Sequence, residues 1–414
     1  MMLRFQVSNH RSILDPVELS LIAVDDDRTA TRGFERLSER VLTVAGVYGP
    51  NASGKTNVLD AIAWLSNAVA RSLHGWEEEI PRDPHRFGDA PTEPSTFDLD
   101  LMVDDIRYSY WLEVDDSGVQ YESLFSYPER RRRTLFERVG DTVEFRRGFE
   151  AVRGIRQLLT PTVLTLSAAV RLRSNPALEV GRAISRMGVL GLRRRRRTMH
   201  PFPRLELRDS TFRLFLEDQS HLRHESIDDD DRRRSALELL RWADPGIDHV
   251  TAEEDSDQRR QLQFVRHLDD EPVMLEIEDE SDGTMMWFRM LGPVLGTLNR
   301  GQVLLCDEID ASLHPLLSAR LIELFQDPTT NPLGAQLIFT THDTTVLNSL
   351  NRDEVWLTEK SEGLATSLRA LAEFSGERVR RSINLEKAYL QGRFGAVPEI
   401  DQQAVRAAIG LSRS

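Results

Sequence analysis

The 414-residue chain holds a single cysteine, Cys306, inside an apolar run. A disulfide framework is therefore excluded, and a reducing cytoplasm is the expected compartment. No run of about 18 apolar residues occurs, so no transmembrane helix is expected and no membrane partner. Residues 1–10 lack the basic-then-apolar layout of a secretory leader. Lysine is also scarce, standing only at Lys55, Lys360 and Lys387, although Lys and Arg together number 53. Against 67 acidic residues the formal net charge is -14, which argues against a protein that coats DNA with a generally basic surface. What remains is a globular composition, 40% hydrophobic and 29% charged, long enough for more than one lobe.

The apolar, β-branched run Val41–Val47 reads as a buried parallel strand, and Val58, Ile62, Leu65, Val69 and Leu73 recur at helical spacing. Between them lies Gly49-Pro50-Asn51-Ala52-Ser53-Gly54-Lys55-Thr56, which matches G-x-x-x-x-G-K-[ST]. Strand, glycine-rich turn and helix form the context that a phosphate-binding loop requires. Gly49, Asn51, Ser53 and Gly54 would turn backbone N–H groups toward phosphate, Lys55 would reach the terminal phosphates, and Thr56 would offer its hydroxyl to Mg²⁺. From Phe97 to Tyr127 short alternating segments predict an antiparallel sheet, with turns at 104–105 and 115–118. Residues 147–245 read as mostly helical and carry the arginine block Arg193–Arg197; a first block, Arg130–Arg133, lies just upstream.

Further along, Val303–Cys306 is an apolar strand ending in Asp307 and Glu308. Adjacent side chains at a strand tip point to opposite sides, so the two acids can act separately: Asp307 on Mg²⁺, Glu308 on the attacking water. The strand Gln336–Thr340 carries His342 just past its tip, where an imidazole can contact a γ-phosphate. Ser281, Asp282 and Gly283 precede a helix marked by Trp287, Leu291, Val294 and Leu298; taken alone, Ser281 is an N-cap. Alternating strands and helices predict an α/β fold: residues 1–145 as a first lobe with the phosphate loop and antiparallel sheet, 146–272 as a mostly helical insertion, and 273–414 as a second lobe.

Phosphate loop, Ser281-Asp282-Gly283, Asp-Glu strand and histidine strand, in that order, resemble the ABC-type ATPases of the SMC/RecF/OLD group. The stretch Asp307-Glu308-Ile309-Asp310-Ala311-Ser312-Leu313-His314-Pro315 and the tail from Tyr389 to Pro398 resemble the stand-alone RloA-like and OLD-like AAA-family ATPases of bacterial anti-phage defence. The resemblance covers 1–145 and 275–400. It implies ATP and Mg²⁺ as cofactors, and a head-to-tail dimer or higher oligomer in which Ser281 and Gly283 meet the γ-phosphate held by the partner copy. It also implies a separate nuclease or toxin effector, since no nuclease constellation is present here. Two departures stand out. No glutamine lies between Gln6 and Gln120, where the group places one that touches Mg²⁺ and water, and His314 stands where the dimer-crossing loop usually has aspartate. The competing expectations are a RecF-like DNA-repair ATPase, with the arginine blocks on nucleic acid, and an ATP-dependent scaffold that sequesters a toxin.

Overall fold

The computed structural model describes residues 1–25, 30–76, 79–146, 152–172, 177–192, 207–216, 227–254, 260–269, 271–361, 363–374 and 384–396. Strand β1 (Met2–Ser8) and β2 (Val17–Ser20) are followed by a hairpin of β3 (Thr31–Phe34) and β4 (Leu37–Leu42), then by β5 (Val44–Tyr48). The run 41–47, expected as one strand, is thus shared by two: β4 pairs with β3, and past Thr43 the chain enters a different sheet. Helix α1 (Lys55–Gly75) buries Val58, Ile62, Leu65 and Val69. A meander follows, of β6 (Ser95–Val103), β7 (Ile106–Val114), β8 (Val119–Tyr127), β9 (Arg133–Val139) and β10 (Thr142–Phe145). Its first turn places Asp104 and Asp105 both at positive φ, the conformation that matches the twist of a tight hairpin.

Next come α2 (Val152–Leu158), α3 (Thr165–Arg171), α4 (Leu178–Ser185), the short β11 (Gly188–Leu190), α5 (Leu207–Leu216) and α6 (Ile227–Ala243). A three-stranded meander, β12 (His249–Glu254), β13 (Arg260–Leu268) and β14 (Glu271–Glu276), leads into α7 (Asp282–Leu298). The remainder alternates: β15 (Val303–Cys306), α8 (Pro315–Gln326), β16 (Gln336–Thr340), β17 (Val355–Lys360), β18 (Thr366–Ala370) and α9 (Leu385–Leu390).

Two sheets organise the α/β fold among the described residues. One is antiparallel, in the order β10-β9-β8-β7-β6-β1-β2; the other runs β11-β15-β16-β5-β17-β18, parallel except for β18. The parallel strands are buried on both faces, as their near-continuous apolar runs require. Along β5, Ala45 and Val47 enter one core and Val44 and Tyr48 the other; along β15, Val303 and Leu305 alternate with Leu304 and Cys306 in the same way. The first core joins α1, α3 and α4 to the antiparallel sheet, and the second lies under α7 and α8.

The stretch 146–272 is woven into these cores. β11 pairs in parallel with β15, and α3 and α4 pack on α1. The buried carboxylate of Glu122 on β8 accepts the N–H groups of Thr165 and Leu166 at 2.6 and 2.9 Å and the Tyr110 hydroxyl at 2.9 Å. That capping joins the meander to α3 and satisfies free donors at the helix start. Pro293 inside α7 leaves the Arg289 carbonyl without its helical partner. The buried hydroxyl of Thr211 on α5 fills the gap, donating to Arg289 O at 3.2 Å and accepting from the Gly292 N–H at 2.7 Å. Trp287 Nε1 donates to Leu239 O at 2.7 Å, fixing α7 to α6. Among the described residues no helix is long and apolar enough to cross a membrane.

Candidate nucleotide site

The order of the parallel sheet sets β15, β16 and β5 side by side, and all three run in the same direction. Their carboxyl ends therefore open at one edge, where ligands of open α/β sheets bind. From that edge project the phosphate loop after β5, Asp307 and Glu308 after β15, and His342 after β16. They line one cleft of about 760 Å³ together with Arg11, Ser12, Asn57, Asp83, His85, Phe87 and Lys360.

The loop is already formed. Gly49 has φ +150°, and a Cβ there would lie 2.4 Å from Thr358 of β17; Gly54 has φ +109°, and a Cβ would lie 2.1 Å from Thr366 of β18. Only glycine can be pressed so closely against those strands. Ser53 is buried, its hydroxyl 2.6 Å from Thr358 Oγ1, so its side chain anchors the loop and leaves only backbone for a ligand. Asn51, Gly54, Lys55 and Thr56 line the cleft, whereas Gly49 and Ser53 stand behind it.

Lys55 Nζ donates to Gly49 O at 2.8 Å and Pro50 O at 3.2 Å, and lies 3.4 Å from His342 Nδ1. An ammonium can only donate, so Nδ1 is the acceptor in that contact. Burial lowers the Lys55 pKa to about 8, against the opposing pull of Asp307, Glu308 and Asp310. Thr56 Oγ1 donates to Asp307 at 3.0 and 3.2 Å. A hydroxyl and a carboxylate in mutual reach are a hard-oxygen pair suited to Mg²⁺, which takes few protein ligands and completes its shell with phosphate and water. No cluster of three or more His, Cys, Asp or Glu side chains able to hold a metal occurs among the described residues.

One residue missed in the motifs organises this corner. Thr340, the last residue of β16, donates to Asp307 Oδ1 at 2.7 Å and accepts the Glu308 N–H at 2.7 Å, while its carbonyl accepts the Ile309 N–H at 3.0 Å. Glu308 has φ +53°, an unfavourable region for a residue with a Cβ, and these bonds hold it there. Glu308 thereby stands at the strand tip as part of the cleft lining. His342 is exposed, and its backbone N–H donates to Asp310 Oδ2 at 3.3 Å.

Ser281 and Gly283 do not join this group. They sit at the exposed start of α7, where Ser281 Oγ caps the Thr284 N–H at 3.2 Å and a Cβ on Gly283 would lie 3.0 Å from Ser312 O. His314 caps α8, its Nδ1 accepting from Leu316 N at 3.2 Å. After α1 the chain brings Asp83, His85, Arg86 and Phe87 to the cleft. Arg130–Arg133 are exposed at the β8–β9 turn; Arg132 stacks on Phe125 at 3.7 Å and Arg133 pairs with Glu129 at 3.1 Å. Arg193–Arg197 lie outside the described residues, as do Val397 and Pro398 of the tail.

The sequence matches the family model described as "AAA domain, putative AbiEii toxin, Type IV TA system" over residues 44–348, from the strand before the phosphate loop to the segment after His342. No curated protein matches the chain. Among solved structures it is similar to an SmcHead bound to the C-winged helix domain of ScpA, at 13% identity and TM-score 0.47, covering 91% of this chain and 98% of that one. It is also similar to an SMC head domain from Thermotoga maritima, at 12% identity and TM-score 0.42, covering 89% and 98%.

Proposed function

The chain belongs to this AAA-domain family, and on that premise we propose that it is an ATPase whose nucleotide site is completed by a second copy of itself and whose cycle governs a separate effector. One observation carries the catalytic part: Lys55, Thr56, Asp307, Glu308 and His342 meet in a single cleft at the carboxyl ends of adjacent parallel strands.

Backbone N–H groups of the loop and the start of α1 receive the phosphates, and the Lys55 ammonium exchanges the carbonyls of Gly49 and Pro50 for phosphate oxygens. Thr56 and Asp307 would hold Mg²⁺, which when bound offsets phosphate charge and polarises the γ-phosphoryl group. Glu308 orients a water in line with the γ-phosphorus and takes its proton. The new P–O bond forms as the bond to the β-phosphate oxygen breaks, and ADP and phosphate leave. His342, beside Lys55, contacts the γ-phosphate and couples its presence to the segment held by Asp310.

The oligomeric part rests on Ser281 and Gly283, a capped and exposed helix start that takes no part in its own chain's cleft. A two-fold related copy would bring this start to the exposed γ-phosphate, so ATP holds the pair together and hydrolysis releases it. The effector is proposed as a nuclease or toxin in an anti-phage defence system, in line with the toxin–antitoxin vocabulary of the family.

The test separates binding from hydrolysis. Lys55→Ala is expected to abolish ATP binding, and Glu308→Gln to keep binding while slowing hydrolysis roughly a hundredfold or more and accumulating ATP-bound dimer. Hydrolysis by Glu308→Gln at the wild-type rate would reject the assignment.

A further inference from the structure

The cleft that holds Lys55 is lined mainly by polar residue types, yet two large apolar side chains stand exposed in its lining: Phe87, 56% exposed, and Leu364, 49% exposed. Phe87 is not on a loose loop. The segment before it is fixed at each step: Trp64 Nε1 donates to Pro81 O at 2.8 Å, and the buried guanidinium of Arg82 reaches Asp116, Glu93 O and Pro91 O at 2.6 to 2.7 Å. His85 is 2% exposed; its N–H donates to Asn9 Oδ1 at 2.9 Å and its ring Nδ1 to Arg11 O at 3.0 Å. The Phe87 ring then rests on the His85 ring, centroids 5.5 Å apart and planes at 66°. An aromatic ring so supported, and left in water, is a preorganised surface for a flat partner.

We propose that Phe87 is the stacking platform for the nucleobase of the bound nucleoside triphosphate. This rests on the reading of the cleft as a triphosphate site. Two polar neighbours of that segment are engaged, Arg11 pairing with Asp60 at 2.9 Å and Asp83 at 3.4 Å and the Ser12 hydroxyl with Thr366 at 2.7 Å, while Arg86 and Lys360 also line the cleft. The exposed ring offers the base its face, and a purine, with more ring area, binds better than a pyrimidine.

The experiment compares binding of Mg-ATP, Mg-CTP and inorganic tripolyphosphate to the full chain and to Phe87→Ala, Phe87→Trp and Lys55→Ala. Because Phe87 is exposed, Phe87→Ala is expected to melt at the wild-type temperature. It should weaken ATP roughly tenfold or more, leave tripolyphosphate unchanged, and narrow the gap between ATP and CTP, while Phe87→Trp keeps ATP affinity. Binding of ATP that depends on Lys55 but is unmoved by Phe87→Ala would overturn this inference alone. Failure of the wild-type chain to bind either ATP or tripolyphosphate would overturn the triphosphate reading and this inference with it.

Discussion

At the scale of single residues, side chains of the cleft are held or tuned by their neighbours. Lys55 is the clearest case. Its pKa of about 8 reflects burial that disfavours the ammonium, and incoming phosphate charge would favour it again. Below pH 8 the free Lys55 is charged and would meet phosphate directly; above pH 8 it would first have to take up a proton, so affinity is expected to fall as pH rises. Calorimetry near pH 8 in two buffers of different protonation enthalpy should show uptake of a fraction of a proton per ATP, and an affinity flat from about pH 7 to 9.5 would contradict this. Thr340 is a positioning residue, touching Asp307 and the Glu308 backbone at once. Thr340→Val should lower ATP hydrolysis by about tenfold to a hundredfold with ATP binding retained, and Thr340→Ser should restore it. Equal loss in the Ser and Val variants would point to packing instead. This role was hidden in the sequence because a threonine ending a buried apolar strand looks like any β-branched strand former.

At the scale of elements, strands and helices with strong periodicity were legible: β6 to β8 from alternation, and α1 and α7 from spaced apolar residues. The glycine-rich turn after β5 and the placement of Asp307, Glu308 and His342 at strand ends were legible because they are local motifs whose neighbours in sequence also decide their conformation. Three features were not. The run 41–47 changes sheets at Thr43, but both halves are apolar and β-branched, so nothing marks the change of partner. β11 is three residues long and is defined only by its distant pairing with β15. The cleft segment Asp83–Phe87 has no periodicity, and its position depends on contacts with Asn9, Arg11 and Trp64. Helix α7 shows how such long-range support is used, since its Pro293 break is closed from another helix by Thr211. Thr211→Val leaves Arg289 O without that donor and should cost about 1–3 kcal/mol, read as a Tm lowered by a few degrees, while Thr211→Ser stays near wild type. An unchanged Tm in Thr211→Val would show that the break needs no such closure.

At the scale of the whole molecule, the phosphate loop and Ser281 belong to the two halves of one chain that sandwich the parallel sheet between separate cores. The stretch between them helps to hold that arrangement, with α3 and α4 on α1 and α5 and α6 on α7. Ser281 and Gly283 thus stand at the start of α7 and do not line the cleft of their own chain. The account therefore turns on whether a second copy supplies them. Mixing two variants, Lys55→Ala and Ser281→Arg, each inactive alone, tests this most directly. A mixed dimer has one site with both lesions and one with neither. With subunit exchange shown by a tag-based pull-down, ATPase activity should return to roughly a quarter of wild type, since half the dimers are mixed and half their sites intact. Wild-type activity in a strictly monomeric Ser281→Arg chain would contradict the shared site.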